Sequence, residues 1–171
     1  MTIMIPTIKT SFFCGIFALL GVWTVFFRAP LTPELLPHVL FYTVLVINTF
    51  FSVQFYAAIQ PKNVSQTLID ITLAVCYIAL ALSLGQPLPF ALWALALFVA
   101  APPKYALMLG LIPHTALLWR KIRIDLTGTA ACAGLLAATL LGYPLLGAWV
   151  FAILFALANV YLLAIKPMYR L

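Results

Sequence analysis

Charge is the scarcest commodity in this chain, and that scarcity decides what can solvate it. Of 171 residues, nine are Lys or Arg and three are Asp or Glu, 7% in all, against 66% hydrophobic. Soluble domains carry about 25% charged residues. A chain this poor in charge has no way to cover itself with a water-facing surface, so lipid must be most of its solvent. A bilayer core takes roughly 20 apolar residues per helix, which leaves room for about five to seven crossings. The expected fold class is all-α: a polytopic transmembrane helix bundle of about six spans, with a kinked or broken fourth span. Residues 1–171 are expected to form a single transmembrane domain.

Chain-breaking residues place the boundaries. The first span is read at 9–27, closed by Arg28-Ala29-Pro30. The second is read at 36–59, closed by Gln60-Pro61-Lys62-Asn63, and the third at 65–84, closed by Gly85-Gln86-Pro87. The fourth begins near Leu88. The fifth is read at 125–142, before Gly142-Tyr143-Pro144, and the sixth at 145–165, before Lys166-Pro167. The N-terminal run reads as a first span, because it is longer than a signal core and no small-residue cleavage site follows it.

Lys and Arg favour cytoplasmic loops. With the N-terminus inside, the inner face collects Lys9, Lys62, Arg120, Lys121, Arg123, Lys166 and Arg170, and the outer face only Arg28. The expectation is a bacterial inner (plasma) membrane protein with both termini cytoplasmic. The net charge of +6 is spread thinly along apolar spans. Nucleic-acid binding needs a clustered, exposed basic face, so no nucleic-acid partner is expected. The expected partners are the lipid bilayer, other membrane subunits, and anionic lipid at Arg120, Lys121 and Arg123.

The fourth span is the irregular one. Residues 88–119 stay apolar for longer than one crossing needs, and Ala101-Pro102-Pro103-Lys104 and Pro113 interrupt them. Proline removes a helical hydrogen bond and crowds the preceding turn. Two readings are open. The helix kinks at Pro102-Pro103 and continues to about Ile112, or it ends near Tyr105 and 106–123 lies on the inner membrane surface.

Ionisable groups within a membrane are costly and mark candidate functional sites. Asp70 falls about six residues into the third span, roughly 9 Å deep, and Lys104 falls roughly 24 Å along the fourth, which descends from the opposite face. Sequence neighbours tend to pack together, so the two are expected to pair in the inner half of the membrane. Asn48, Gln54 and Asn159 fall on the same side of the bilayer midplane or near it, with Tyr56, Tyr105 and Tyr161 in reach. Together Asp70, Lys104, Asn48, Gln54 and Asn159 form the candidate binding cluster. The structural alternative is that Asp70 and Lys104 reach the headgroups and the amides act as interhelical glue.

Other features call for plainer readings. Cys14, Cys76 and Cys132 lie in apolar runs with no metal-ligand spacing, so packing is expected and no metal or cofactor is. His38 and His114 are read as surface or interfacial groups. The pattern Ala130-x3-Gly134-x3-Ala138, with Gly128 and Cys132 nearby, predicts a close helix contact. Asn63-Val64-Ser65 fits a glycosylation sequon but falls on the cytoplasmic side.

No nucleophile elbow, HExxH, P-loop or acidic metal motif is present in the sequence, and Glu34, Asp70 and Asp125 are its only acids. Asp125 is expected to pair with the Arg120–Arg123 cluster. These features argue against an enzyme. They leave a non-catalytic accessory or scaffold subunit of a larger membrane assembly as the first reading. The second is a small-molecule or ion transporter, or its substrate-binding subunit, using the inner-leaflet polar site around Asp70 and Lys104.

Overall fold

The computed structural model describes residues 6–56, 59, 63–111 and 115–165. Six α-helices follow one another: α1 (Pro6–Phe27), α2 (Leu35–Tyr56), α3 (Val64–Leu82), α4 (Pro87–Met108), α5 (Thr115–Leu140) and α6 (Pro144–Val160). A single π-helical turn, Tyr161–Ile165, extends α6. No strand occurs among the described residues. Five of the helices, all but α5, are long and apolar enough to cross a membrane.

The breakers sit where their chemistry is useful. Pro87 and Pro144 open α4 and α6 within the first two helical positions, where a missing N–H costs nothing and the fixed φ suits the helix. Asn63 caps α3, its Oδ1 accepting from the Gln66 N–H at 2.8 Å. That cap satisfies one of the orphan donors of the first turn and gives the sequon asparagine a structural task. Gly85 turns the chain at φ +78° after α3, and a Cβ there would come within 2.8 Å of the Pro30 carbonyl oxygen.

Neighbouring helices close a ring in the order α1, α2, α6, α5, α4, α3, with α4 also touching α6 across it. Phe41, Phe90, Ala91, Ala94 and Phe151 fill the centre. Only 28% to 39% of each apolar span is buried within the protein. The rest of each surface, including Phe12, Leu19, Phe26, Leu68, Leu154 and Leu157, is exposed and requires an apolar surrounding. Lipid tails are as apolar as these side chains, so close fit rather than hydrophobic drive must hold such helices together. One close fit places Gly128 of α5 against the ring of Phe98 of α4, where a Cβ would meet ring atoms at 2.3 Å.

That contact meets the small-residue expectation in part. The tight face of α5 runs through Gly128, Cys132 and Leu135, whereas Ala130 and Gly134 are exposed and nothing lies within 4 Å of a Cβ at Gly134. Ala138, at the far end of the expected strip, does make a close helix contact: a Cβ on Gly147 of α6 would lie 2.8 Å from the Ala138 Cβ. All three cysteines are buried and free.

Neither reading of the fourth span is matched as drawn. α4 runs without interruption through Pro102 and Pro103 to Met108. Proline at position 102 cannot donate to the Phe98 carbonyl, four residues back. The Thr129 hydroxyl of α5 donates to that carbonyl instead, at 3.0 Å. A partner helix thus supplies the hydrogen bond that proline removes, as membrane helices require. Residues 115–123 are not a continuation of the fourth helix. They form the first turns of α5, which therefore starts ten residues earlier than the expected 125. Ile112, Pro113 and His114 lie outside the described residues, as do Lys62, Lys166 and Arg170 and the side chain of Lys9.

His38 is also corrected. It is 1% exposed, stacked on Phe90 with ring centroids 3.8 Å apart, and its Nδ1 accepts from the Gly85 N–H at 3.2 Å. The Thr32 hydroxyl donates to the Gly85 carbonyl at 2.9 Å. The α1–α2 and α3–α4 connections are therefore locked together at one end of the bundle by backbone and imidazole.

Candidate functional site: a polar end and a cavity between α5 and α6

At the opposite end, α2, α3 and α4 bring polar groups together. Lys104 Nζ lies 2.6 Å from Asp70 Oδ1, with the lysine side chain 9% exposed and the aspartate 44%. Gln66, buried one turn before Asp70, donates to the Lys104 carbonyl at 3.0 Å. The hydroxyls of Ser52 and Tyr105 are 3.4 Å apart, and the Tyr56 and Tyr105 rings pack at 4.8 Å. Thr49 and Tyr77 join hydroxyls a turn deeper.

A second pair lies across the bundle on α5. Lys121 Nζ is 2.6 Å from Asp125 Oδ1, and both side chains are buried, at 8% and 3% exposed. The four-residue spacing puts them on one helix face. The Lys121 ammonium also lies 5.3 Å from the centre of the Tyr105 ring, close enough for a cation–π attraction. Tyr105 therefore links the two polar groups. The expected pairing of Asp125 with its basic neighbours is formed through Lys121. Lys121 itself turns inward, away from the lipid-facing role expected of it, while Arg123 stays exposed and Arg120 half-buried.

Beside this second pair a cavity of about 1080 Å³ opens between α5 and α6. Its rims are exposed and fall at helical spacing: Ala116, Trp119, Arg123 and Thr127 on α5, Leu154, Ala158 and Tyr161 on α6 and its π-helical turn. Its floor is buried or half-buried: Asn48, Phe98, Lys121, Asp125, Phe151, Phe155 and Asn159. The polar residues cluster near the end where α5 begins, and the far walls are aromatic and aliphatic. Ligand sites are commonly mostly apolar with a few placed polar groups.

Two floor residues keep a polar atom without a hydrogen-bond partner among the described residues. They are Asp125 Oδ2 and Asn159 Oδ1, on residues 2% and 4% exposed. The Asn159 amide nitrogen is occupied, donating to the Phe155 carbonyl at 2.8 Å. A buried polar atom without a partner costs about 1–3 kcal/mol, and both of these are hydrogen-bond acceptors.

The five expected site residues therefore divide. Asp70 and Lys104 meet each other outside the cavity, Asn48 and Asn159 line it, and Gln54 is half-buried on α2 outside the lining. Gln66, Lys121 and Asp125 were not among them, although Lys121 and Asp125 carry a readable signal in their opposite charges four apart.

The fold and this end of it define a class: an all-helical bundle with the make-up of an integral membrane protein, carrying a lateral cavity with charged and amide groups in its floor. Comparison with protein-family models, curated proteins and solved structures finds no match to the chain.

Proposed function

We propose that the protein is a six-span membrane protein that binds a small amphiphilic molecule in the α5–α6 cavity, as a transporter or the substrate-binding subunit of one. The carrying observation is the open cavity of about 1080 Å³ between α5 and α6, whose lining sets Arg120, Lys121, Arg123, Asp125 and Asn159 at one end and Phe98, Phe151, Leu154 and Phe155 beyond them. An accessory or scaffold subunit has no need of such a space, and this moves the accessory reading to second place. At 26 residues, α5 is about 39 Å long at 1.5 Å per residue. We read it as the sixth crossing, with Trp119, Arg120 and Arg123 at the cytoplasmic headgroup level and both termini on that side. A bacterial plasma membrane is the proposed location.

Ala158 stands exposed on the cavity rim, so Ala158→Trp fills the opening without pressing on the core. The protein purified in mild detergent should carry a bound small molecule detectable by native mass spectrometry, and Ala158→Trp should lose it. An adduct-free wild type, or one whose adduct survives Ala158→Trp, overturns the reading. For topology, single cysteines at Arg28 and Tyr143 should react with an impermeant maleimide in intact cells, and one at Arg123 only after permeabilisation. The native cysteines are buried and give little background. Labelling of the Tyr143 and Arg123 positions from the same side would remove α5 as a crossing.

A further inference from the structure

We infer that the ligand of the α5–α6 cavity is an anionic amphiphile, its phosphate or carboxylate head held by Arg120 and Arg123 and its apolar tail lying along Ala131, Phe151 and Leu154. The inference rests on the ligand-binding reading above and assigns the charge and orientation of that ligand. It begins from a count of charges. The sequence holds three acidic side chains, Glu34, Asp70 and Asp125. Asp70 is taken by Lys104 and Asp125 by Lys121, each at 2.6 Å. Glu34 directly precedes α2, at the end of the bundle where His38 meets Gly85, and the charged end of the cavity is the opposite one. Arg120 and Arg123 form no ion pair among the described residues. Both line the cavity, Arg120 half-buried and Arg123 exposed. Arginine stays charged in proteins, so two positive charges border an apolar space and no acidic side chain is left to balance them.

The two arginines act from one place. They are three residues apart, which puts them on one face of α5, with Trp119 and Tyr161 also in the lining at this end. The same face continues through Thr127 to Ala131, about 12 Å beyond Arg123 at 1.5 Å per residue. α6 runs back along it, since Gly147 packs on Ala138. Tyr161 therefore stands near the level of Arg123, and Phe151 and Leu154 near that of Ala131. The cavity thus passes from two guanidinium groups to an aromatic and aliphatic lane. Guanidinium groups match phosphate and carboxylate, which they grip through paired hydrogen bonds. The small exposed side chains of Ala116, Thr127 and Ala158 on the rim leave the flank of the bundle open. The ligand enters sideways from the bilayer, with its head already at the level of the headgroups.

Other head chemistries fit less well. A cationic head meets two like charges, and a neutral one leaves both arginines unbalanced. Basic residues at a membrane surface also attract anionic lipid loosely, but that attraction needs no cavity, and measurement separates the two. A single-chain phosphate, a fatty acid and a diacyl phosphatidate share the recognised chemistry, an anion on an apolar tail, and differ in source.

The test is direct binding, by microscale thermophoresis of the purified protein in a non-ionic detergent. The compounds are dodecyl phosphate, dodecanoate, dodecyl glycerol and dodecyl trimethylammonium, with a diacyl phosphatidate beside them. At least one anionic compound should bind the wild type about tenfold or more tightly than the glycerol and the ammonium, the scale of a hydrogen bond to a charged group. Which anion leads names the source. The margin should shrink as salt rises, a readout that needs no variant. Arg120→Gln with Arg123→Gln should bring the anions down to the affinity of dodecyl glycerol, and Ala158→Trp should weaken every compound. Equal affinities for all heads in the wild type, lost in Ala158→Trp, overturn the inference and leave the cavity reading standing. If Ala158→Trp removes the neutral compound while the anions still bind, the arginines attract anions without the cavity, and the inference is overturned. If no compound binds, or Ala158→Trp changes none of them, the ligand-binding reading itself has failed.

Discussion

The protein holds two Lys–Asp pairs of the same length, 2.6 Å, near the same end of the bundle, and they are physically different objects. Lys104–Asp70 joins two helices, and its carboxylate is 44% exposed. Lys121–Asp125 lies within one helix, and its carboxylate is 3% exposed with a second oxygen left without a partner. The first is a clasp between helices whose accessible carboxylate lets polar surroundings share the work of stabilising charge. The second is a charge pair taken out of water beside a cavity. Burial of an ion pair is weak support for stability, since desolvation offsets the attraction. A buried pair in the lining of a cavity is better explained by the site it shapes than by the stability it adds.

The largest difference between the two pairs is expected at Lys121. Lys121→Met should leave the Asp125 carboxylate buried without its cation, a change that costs about 3–5 kcal/mol when a buried pair is broken. The expected result is a large fall in the thermal midpoint of the purified protein. Pairing Lys121→Met with Asp125→Leu should recover most of the loss while ligand binding stays weak. A single variant as stable as the wild type would mean that Asp125 is not ionised or not dry, and the contrast between the pairs would collapse.

The next effect sits on the seam that holds α5 against α4. Thr129→Val removes the hydroxyl that serves the Phe98 carbonyl opposite Pro102. An unsatisfied buried carbonyl costs about 1–3 kcal/mol, and Val keeps the shape, so the loss should appear in unfolding rather than expression. Replacing Pro102 with Ala in the same chain restores the internal helical bond and should return much of that stability. No rescue by Pro102→Ala would show that the hydroxyl acts on something other than the proline defect.

How much of this was legible in the sequence depends on which property each residue expresses. The ends of α3 and α5 and the starts of α4 and α6 were close to their expected places because Gly85, Pro87, Gly142 and Pro144 act locally. Gly85 and Gly142 take positive φ and the prolines open helices. The start of α5 was misplaced because Arg120, Lys121 and Arg123 look like a surface anchor when charge alone is counted. The structure divides them by helix face, burying Lys121 against Asp125 and leaving Arg123 outside. Depth was readable by counting residues, and this brought Asp70 to the level of Lys104 and Asn159 into the polar end. Rotation was not. A helix apolar all round gives no stripe to mark its inner face, so Gln54 could not be told from Asn48, nor the Gly134 strip from the Gly128 strip.

The smallest effect belongs to the other pair and sharpens the comparison most economically. Asp70→Asn removes a charge whose side chain is nearly half exposed, and exposed ion pairs are worth about 0–1 kcal/mol. The Lys104 ammonium, freed, can follow its flexible stem toward the headgroups, and the asparagine oxygen still accepts from it. Stability should fall by no more than about 1 kcal/mol, and binding in the α5–α6 cavity should be unchanged because neither Asp70 nor Lys104 lines it. Unfolding midpoints and native mass spectrometry of the bound molecule measure the two quantities on one preparation. If Asp70→Asn instead abolishes ligand binding at full stability, the coupling must run from Lys104 through its neighbour Tyr105 to Lys121, which stands 5.3 Å from that ring. The two pairs would then be one functional unit, and the inner-leaflet site around Asp70 and Lys104 would regain its place at the centre of the protein's activity.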